Sequence, residues 1–183
     1  IAMSKLPERL LKLAKLAKQF NIGLTVDAEE SERLDISLDI IEAVFKSPEL
    51  SGWDGFGLAV QSYQKRAIHV LDWVAELARS EKRRMTVRLI KGAYWDTEIK
   101  IAQMNGQSDF PVWTTKPATD LNYLACARKM LEAKDAIYPQ FATHNAHSVA
   151  AIEMLADEIG NSTFEFQRLH GMGEALYGAA GLG

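Results

Sequence analysis

The ten residues Val87–Asp96, "VRLIKGAYWD", place two cations, a glycine and two aromatics at the end of a β-branched apolar run. Arg88 lies inside that run, where a charge is costly unless it is paired. Strand alternation puts Arg88, Ile90 and Gly92 on one face, with Leu89 and Lys91 on the other. A structural ion pair with a neighbouring strand accounts for Arg88, and so does a guanidinium facing a ligand. Gly92 lets the backbone approach a bound molecule closely, and Ala93 keeps that approach open. Tyr94 and Trp95 then supply flat apolar walls. Small residues beside aromatics suit a planar ring system such as a flavin.

Other polar groups recur at the ends of apolar runs. Asp27 follows Val26 where a strand gives way to a helix, and there it either caps free backbone amides or serves a site. Glu29 and Glu30 fit the first-turn electrostatics of such a helix. "ATHNAH" sets Thr143, His144 and Asn145 at a strand end, as hydrogen-bond donors to a polar cofactor. His144 and His147 lie three apart with no third Cys or His close in sequence, which argues against a metal. His69 falls within a helical stretch and is expected to pack. No G-x-S-x-G and no P-loop occurs, and no serine stands beside a strand-end histidine. Redox or binding chemistry with a bound organic cofactor remains.

The elements that position these residues alternate. "NIGLTVDAEE", "FGLAVQSY", "MTVRLIKGA", "YPQFATHN" and "TFEFQRL" read as strands. Between them "ERLDISLDIIEAVF", "KRAIHVLDWVAELARS", "DTEIKIAQMNG", "LNYLACARKMLEAK" and "SVAAIEMLADEIG" have helical spacing. "QSDFPVWTTKPATD" reads as a loop with a short extended piece near Val112, and the glycine-rich tail after His170 shows no helical pattern. An amphipathic helix with its stripe on Leu6, Leu10, Leu13, Ala17 and Phe20 precedes the first strand. Alternating strands and helices imply a mainly parallel sheet, either doubly wound or a (β/α)8 barrel. A dinucleotide-binding G-x-G-x-x-G is absent after the first strand, whereas five polar strand ends suit a barrel mouth. Five strands are few for a barrel, which usually needs about 250 residues.

The 183 residues suffice for one core, and 48% hydrophobic with 25% charged residues is a soluble globular composition. A net charge of −3 gives no reason to expect a nucleic acid partner. Cys126 is the single cysteine and is expected to be buried. No apolar run approaches the roughly 20 residues that span a bilayer, and no signal peptide is visible, so a cytoplasmic setting is expected.

Taken together, "DAEES.RLDISLDIIE", "GLAVQSYQKRA", "RLIKGAYWDTEIKIAQ", "TDLNYLACARKML", "IYPQFATHNAHS" and "FEFQRLHGMGE" closely resemble the proline dehydrogenase domain of the bacterial bifunctional proline utilisation flavoproteins. The resemblance runs from about Leu6 to Tyr177. It implies a distorted (β/α)8 TIM-type barrel, of which residues 1–183 would be a single segment truncated at both ends and supplying about strands three to seven. It further implies FAD at the carboxyl ends of the strands, hydride transfer from L-proline to give Δ1-pyrroline-5-carboxylate, and a quinone as electron acceptor. Carried over residue by residue, Asp27, Arg88 and Tyr94 would form the catalytic set. Asp27, Tyr94 and Leu169 would contact proline, and Arg88 would act near the flavin N5. Gln61, Arg88, Ile90, Lys91, Gly92, Ala93 and Trp95 would line the flavin. Thr114, Thr143, His144, Asn145 and Gln167 would make further FAD contacts.

Two departures stand out: Thr115 replaces an arginine of the family pattern, with loss of a phosphate contact, and Ala175 replaces a proline. The family's first two strands and its eighth, with further substrate-gripping residues, have no counterpart in the chain. Open barrel edges imply self-association, and quinone reduction implies a peripheral position on the inner membrane. A hydroxyproline dehydrogenase and a non-catalytic flavin-binding or structural fragment are the alternatives.

Overall fold

A computed structural model describes residues 2–181, and the side chains from Lys5 onward. Its centre is a five-stranded sheet of β1 (Leu24–Val26), β2 (Phe56–Gln61), β3 (Met85–Ile90), β4 (Ile137–Ala142) and β5 (Glu165–Gln167). Spatial order follows chain order and every pairing is parallel. The sheet therefore lacks the reversal of strand order that defines a doubly wound fold. Between and around the strands run α1 (Ala2–Gln19), α2 (Leu34–Phe45), α3 (Ala67–Ser80), α4 (Trp95–Met104), α5 (Lys116–Glu132), α6 (Ala146–Ile159) and α7 (Glu174–Ala179).

Register sorts the side chains into two faces. Val60, Leu89, Phe141 and Phe166 align across four strands and point into the helix-covered core. With them are buried Phe45, Phe56, Leu71, Val87, Met130 and Ile137. Each such side chain contributes about 1.5–3 kcal/mol of burial. An aromatic chain closes one end of the core: Phe141 meets Phe164 and Phe166, and Phe166 meets Tyr177 edge-on at 6.2 Å. The other face is polar. Ala59, Arg88, Gln140 and Glu165 form one row, and Thr86 and Tyr138 lie in the row below. Arg88, Gln140 and Glu165 are only half-buried there.

Several expectations change. No helix starts at Asp27: a 3-10 turn begins at Ser31 and α2 follows from Leu34, so Asp27 caps nothing. Helix α5 takes in "KPATD" because Pro117 sits in its first turn, where the missing N–H has no helical partner to lose. The glycine-rich tail does form α7, entered through Gly173 at φ 69°. His69 is exposed rather than packed. On α1, Leu10 and Ala17 pack on the core, but Leu6, Leu13 and Phe20 of the same stripe are exposed.

Candidate functional site

The functional candidates gather at the carboxyl edge of the sheet, where the strand order makes loops after β1, β2, β3, β4 and β5 neighbours. Arg88, one turn of pleat before the end of β3, is the hub. Its Nη1 donates to Asp27 Oδ1 at 2.6 Å, and its Nε donates to Gln167 Oε1 at 2.8 Å. The guanidinium thus spans from the end of β1 to the end of β5, and Nη2 takes part in neither bond. The ion pair is not with an adjacent strand, since β2 lies between β1 and β3. Gln167 and Gln140 in turn both donate to Glu165 Oε1, at 2.8 and 2.9 Å.

Beyond Ile90 the chain makes a turn that only glycine tolerates easily. Gly92 adopts φ 146°, and a Cβ there would lie 2.4 Å from the Tyr63 ring. Tyr63 is buried, and burial holds its phenol far above the ordinary value, with the Glu98 charge adding to the effect. Gln61 at the end of β2 steadies this turn: its Oε1 accepts from the Ala93 N–H at 3.1 Å, while its Nε2 donates to the Glu29 carbonyl at 2.7 Å. Tyr94 donates its hydroxyl to Glu29 Oε2 at 2.8 Å, which raises its pKa. Lys91 pairs with Asp120 at 2.5 Å. Lys116, then Lys91, hold the Asp120 carboxyl below its ordinary range. The Trp95 indole N–H donates to the Trp113 carbonyl at 2.8 Å. That carbonyl belongs to a segment strapped to the end of β2 by the Gln64–Val112 bridge and by Trp113 N–H to Tyr63 O, 2.8 Å.

On the other side, Thr143 receives support from three directions. Its N–H donates to the Gln167 carbonyl, its Oγ1 accepts from the Asn145 N–H, and its carbonyl accepts from the Tyr177 hydroxyl at 2.7 Å. Asn145 caps α6 by accepting from Ser148 N–H at 3.0 Å. His144 Nε2 accepts from the Leu169 N–H at 3.0 Å, so in the neutral ring the proton resides on Nδ1.

These residues enclose a cleft of ≈ 900 Å³. Arg88, Ile90, Lys91, Gly92 and Ala93 line one wall, and Thr143, His144, Asn145, Gln167 and Leu169 line the other. A second lobe of ≈ 350 Å³ shares Lys91 and Gly92 and adds Trp95, Thr114, Thr119 and Asp120. Twelve of the fifteen sequence candidates therefore line these two lobes. Asp27, Gln61 and Tyr94 do not. Asp27 and Gln61 border a smaller cavity between β1, β2 and α2, and the Gln61 amide is already occupied at both ends by backbone. Sequence reasoning missed Tyr63, Asp120 and Tyr177. Tyr63 stands two residues beyond a strand end, a position open to inspection, but Tyr177 lay in a tail with no apparent helix.

The match to a family model described as proline dehydrogenase covers residues 1–181. The chain belongs to the proline dehydrogenase family. It is 54% identical over 176 residues to the bifunctional protein PutA of Escherichia coli, spanning 96% of this chain and 13% of that protein. It is 30% identical over 174 residues to proline dehydrogenase 2 of Bacillus subtilis, covering 94% of this chain and 50% of that one. A crystal structure of Bradyrhizobium japonicum proline utilization A superposes with a TM-score of 0.95 at 57% identity, covering 98% of this chain and 18% of the other. The chain thus spans from 13% to 50% of the length of these relatives. Its mixed α/β fold with a parallel sheet matches the corresponding part of proline utilization A.

Proposed function

We propose that this chain supplies the flavin-facing part of a proline dehydrogenase site. In this reading residues 1–183 are a single segment whose parallel sheet is an arc of a (β/α)8 barrel. Parallel sheets are ordinarily covered on both faces. Here the face bearing Arg88, Gln140 and Glu165 is half-open, which fits a barrel lumen. The outer edges of β1 and β5 would be met by further strands or, failing those, by another copy.

The observation that carries the reading is the two-lobed cleft at the carboxyl edge of the sheet. The donor set fits FAD: a guanidinium whose Nη2 has no partner among the described residues, the Lys91 ammonium, and a backbone turn made close-fitting by Gly92, with Gln167 holding the guanidinium in place. Bound FAD would supply the two-electron acceptor for oxidation of L-proline to Δ1-pyrroline-5-carboxylate, with a quinone as the onward oxidant. The protein's own work is positioning and electrostatics. Arg88 and Lys91 set positive charge beside the cleft, where negative charge accumulates on reduction. Asp27 keeps Oδ2 outside its bond to Arg88 and so can orient a substrate ammonium. Leu169 walls the substrate side, and Tyr94, outside both lobes and bonded to Glu29, would reach the substrate from the neighbouring turn. His144, Thr143 and Asn145 steady the far wall, and Trp95 and Thr114 line the smaller lobe. Lys116, one residue past Thr115, brings a cation to that lobe.

The test is an absorbance spectrum of the purified protein with FAD, before and after anaerobic L-proline. Flavin bands that bleach on addition are the expected result. A bound flavin that stays oxidised would refute the substrate while leaving the cofactor site, and failure to retain flavin would refute both.

A further inference from the structure

Glu98 lies in the first turn of α4 and is 4% exposed, with a carboxylate that no candidate function has claimed. Both of its oxygens are engaged by one residue. Oε1 accepts from the Ser31 N–H at 2.6 Å and Oε2 accepts from the Ser31 hydroxyl at 2.5 Å. A buried carboxylate needs such donors, and hydrogen bonds to a charged group are among the stronger ones. What it grips is the end of the loop 27–30, a stretch without helix or strand that carries Asp27 and Glu29. What it grips from is the element that continues directly from Gly92, Ala93 and Tyr94. The loop after β1 is thereby tied to the loop after β3, across the end of β2.

We propose that Glu98 is a positioning residue that holds this loop in register with the cleft. Among the described residues the other ties of the loop come from Tyr94 and Gln61 to Glu29, from Arg88 to Asp27, from Arg66 to the Ser31 carbonyl at 3.2 Å, and from the exposed Arg33 to Glu30 at 3.2 Å. Among the described residues, Glu98 alone closes its downstream end from a buried position. Releasing Ser31 lets Asp27, a largely exposed side chain at 73%, leave Arg88 without disturbing the cleft walls on β4 and β5. The consequence for turnover rests on the proline dehydrogenase reading; the grip itself does not.

The experiment compares Glu98→Ala, Glu98→Gln and Ser31→Ala in the full-length protein by amide hydrogen exchange, flavin content and steady-state kinetics with proline. Glu98→Ala is expected to speed exchange over residues 27–33 by at least about tenfold and to raise KM by about the same factor. Its flavin content and kcat stay within about twofold. Glu98→Gln keeps an acceptor for the Ser31 N–H and should recover most of both effects. Should Glu98→Ala fail to fold, Ser31→Ala removes one of the two bonds and should move both readouts by about threefold. Unchanged exchange over 27–33 would overturn the grip. Faster exchange with unchanged KM, or a fall in kcat alone, would overturn the positioning role. Absence of proline turnover in the unsubstituted protein would instead refute the function, with exchange still reporting on Glu98.

Discussion

Cys126 shows how completely a side chain's chemistry is set by where the fold puts it. It is buried on α5, and desolvation pushes its thiol from 9.0 to about 12. At pH 8 an ordinary thiol of that kind is about one-tenth ionised, whereas this one is ionised in only about one molecule in ten thousand. Alkylation by iodoacetamide at pH 8 should therefore be slower by about a thousandfold in the folded protein than in urea. Comparable rates would mean that the thiol is exposed. The same shift has a sign for stability. A raised folded-state pKa favours the folded form below pH 9, and that contribution is lost progressively as pH climbs toward 12. Arg88 makes the complementary point. Its charge survives inside a strand because Asp27 and Gln167 reach it from two different strand ends.

At the level of elements, the turn between β3 and α4 is the feature most sensitive to a single carbon. Gly92→Ala would place a methyl against the Tyr63 ring in a backbone region that side chains avoid. A loss of about 2 kcal/mol or more is expected in urea unfolding. Gly178→Ala in α7 meets open space and no unusual φ, so it should be neutral or stabilise by about 0.5–1 kcal/mol. Equal effects at the two sites would remove Tyr63 as the reason for Gly92. The same turn marks how far sequence alone reaches. The break in "VRLIKGAYWD" was visible because alternation stops where Lys91 and Gly92 begin, and the five strands and their polar ends followed from periodicity. What it could not display was Tyr63 beneath Gly92, because that contact joins two loops through packing rather than through pattern. Asp27 illustrates the opposite case. Its local context allowed a helix cap as well as a site role, and only the fold, by bringing β3 within reach of β1, supplied the partner that decides against the cap. Helix α7 was hidden by glycines whose positive φ builds its entry rather than breaking it.

For the molecule as a whole, the decisive property is that each strand pairs only with its neighbours in sequence. Sheet and core can therefore assemble stepwise, with each new strand closing one modest loop. Among the described residues, the side-chain bonds that span more than sixty residues are Arg88–Asp27, Arg88–Gln167, Ser31–Glu98 and Tyr94–Glu29. All of them tie strand-end loops at the candidate site. They become available only after three or more strands are aligned, which places them late on the folding path. In stopped-flow experiments, Asp27→Asn should accelerate unfolding while leaving the refolding rate within about 1.5-fold, whereas Val87→Ala should slow refolding. Equal slowing of refolding by both would refute that order. The order also runs backwards in time for a folded molecule. The last contacts to form are the first to be surrendered, so heating would first loosen the cleft while the sheet beneath it is still intact.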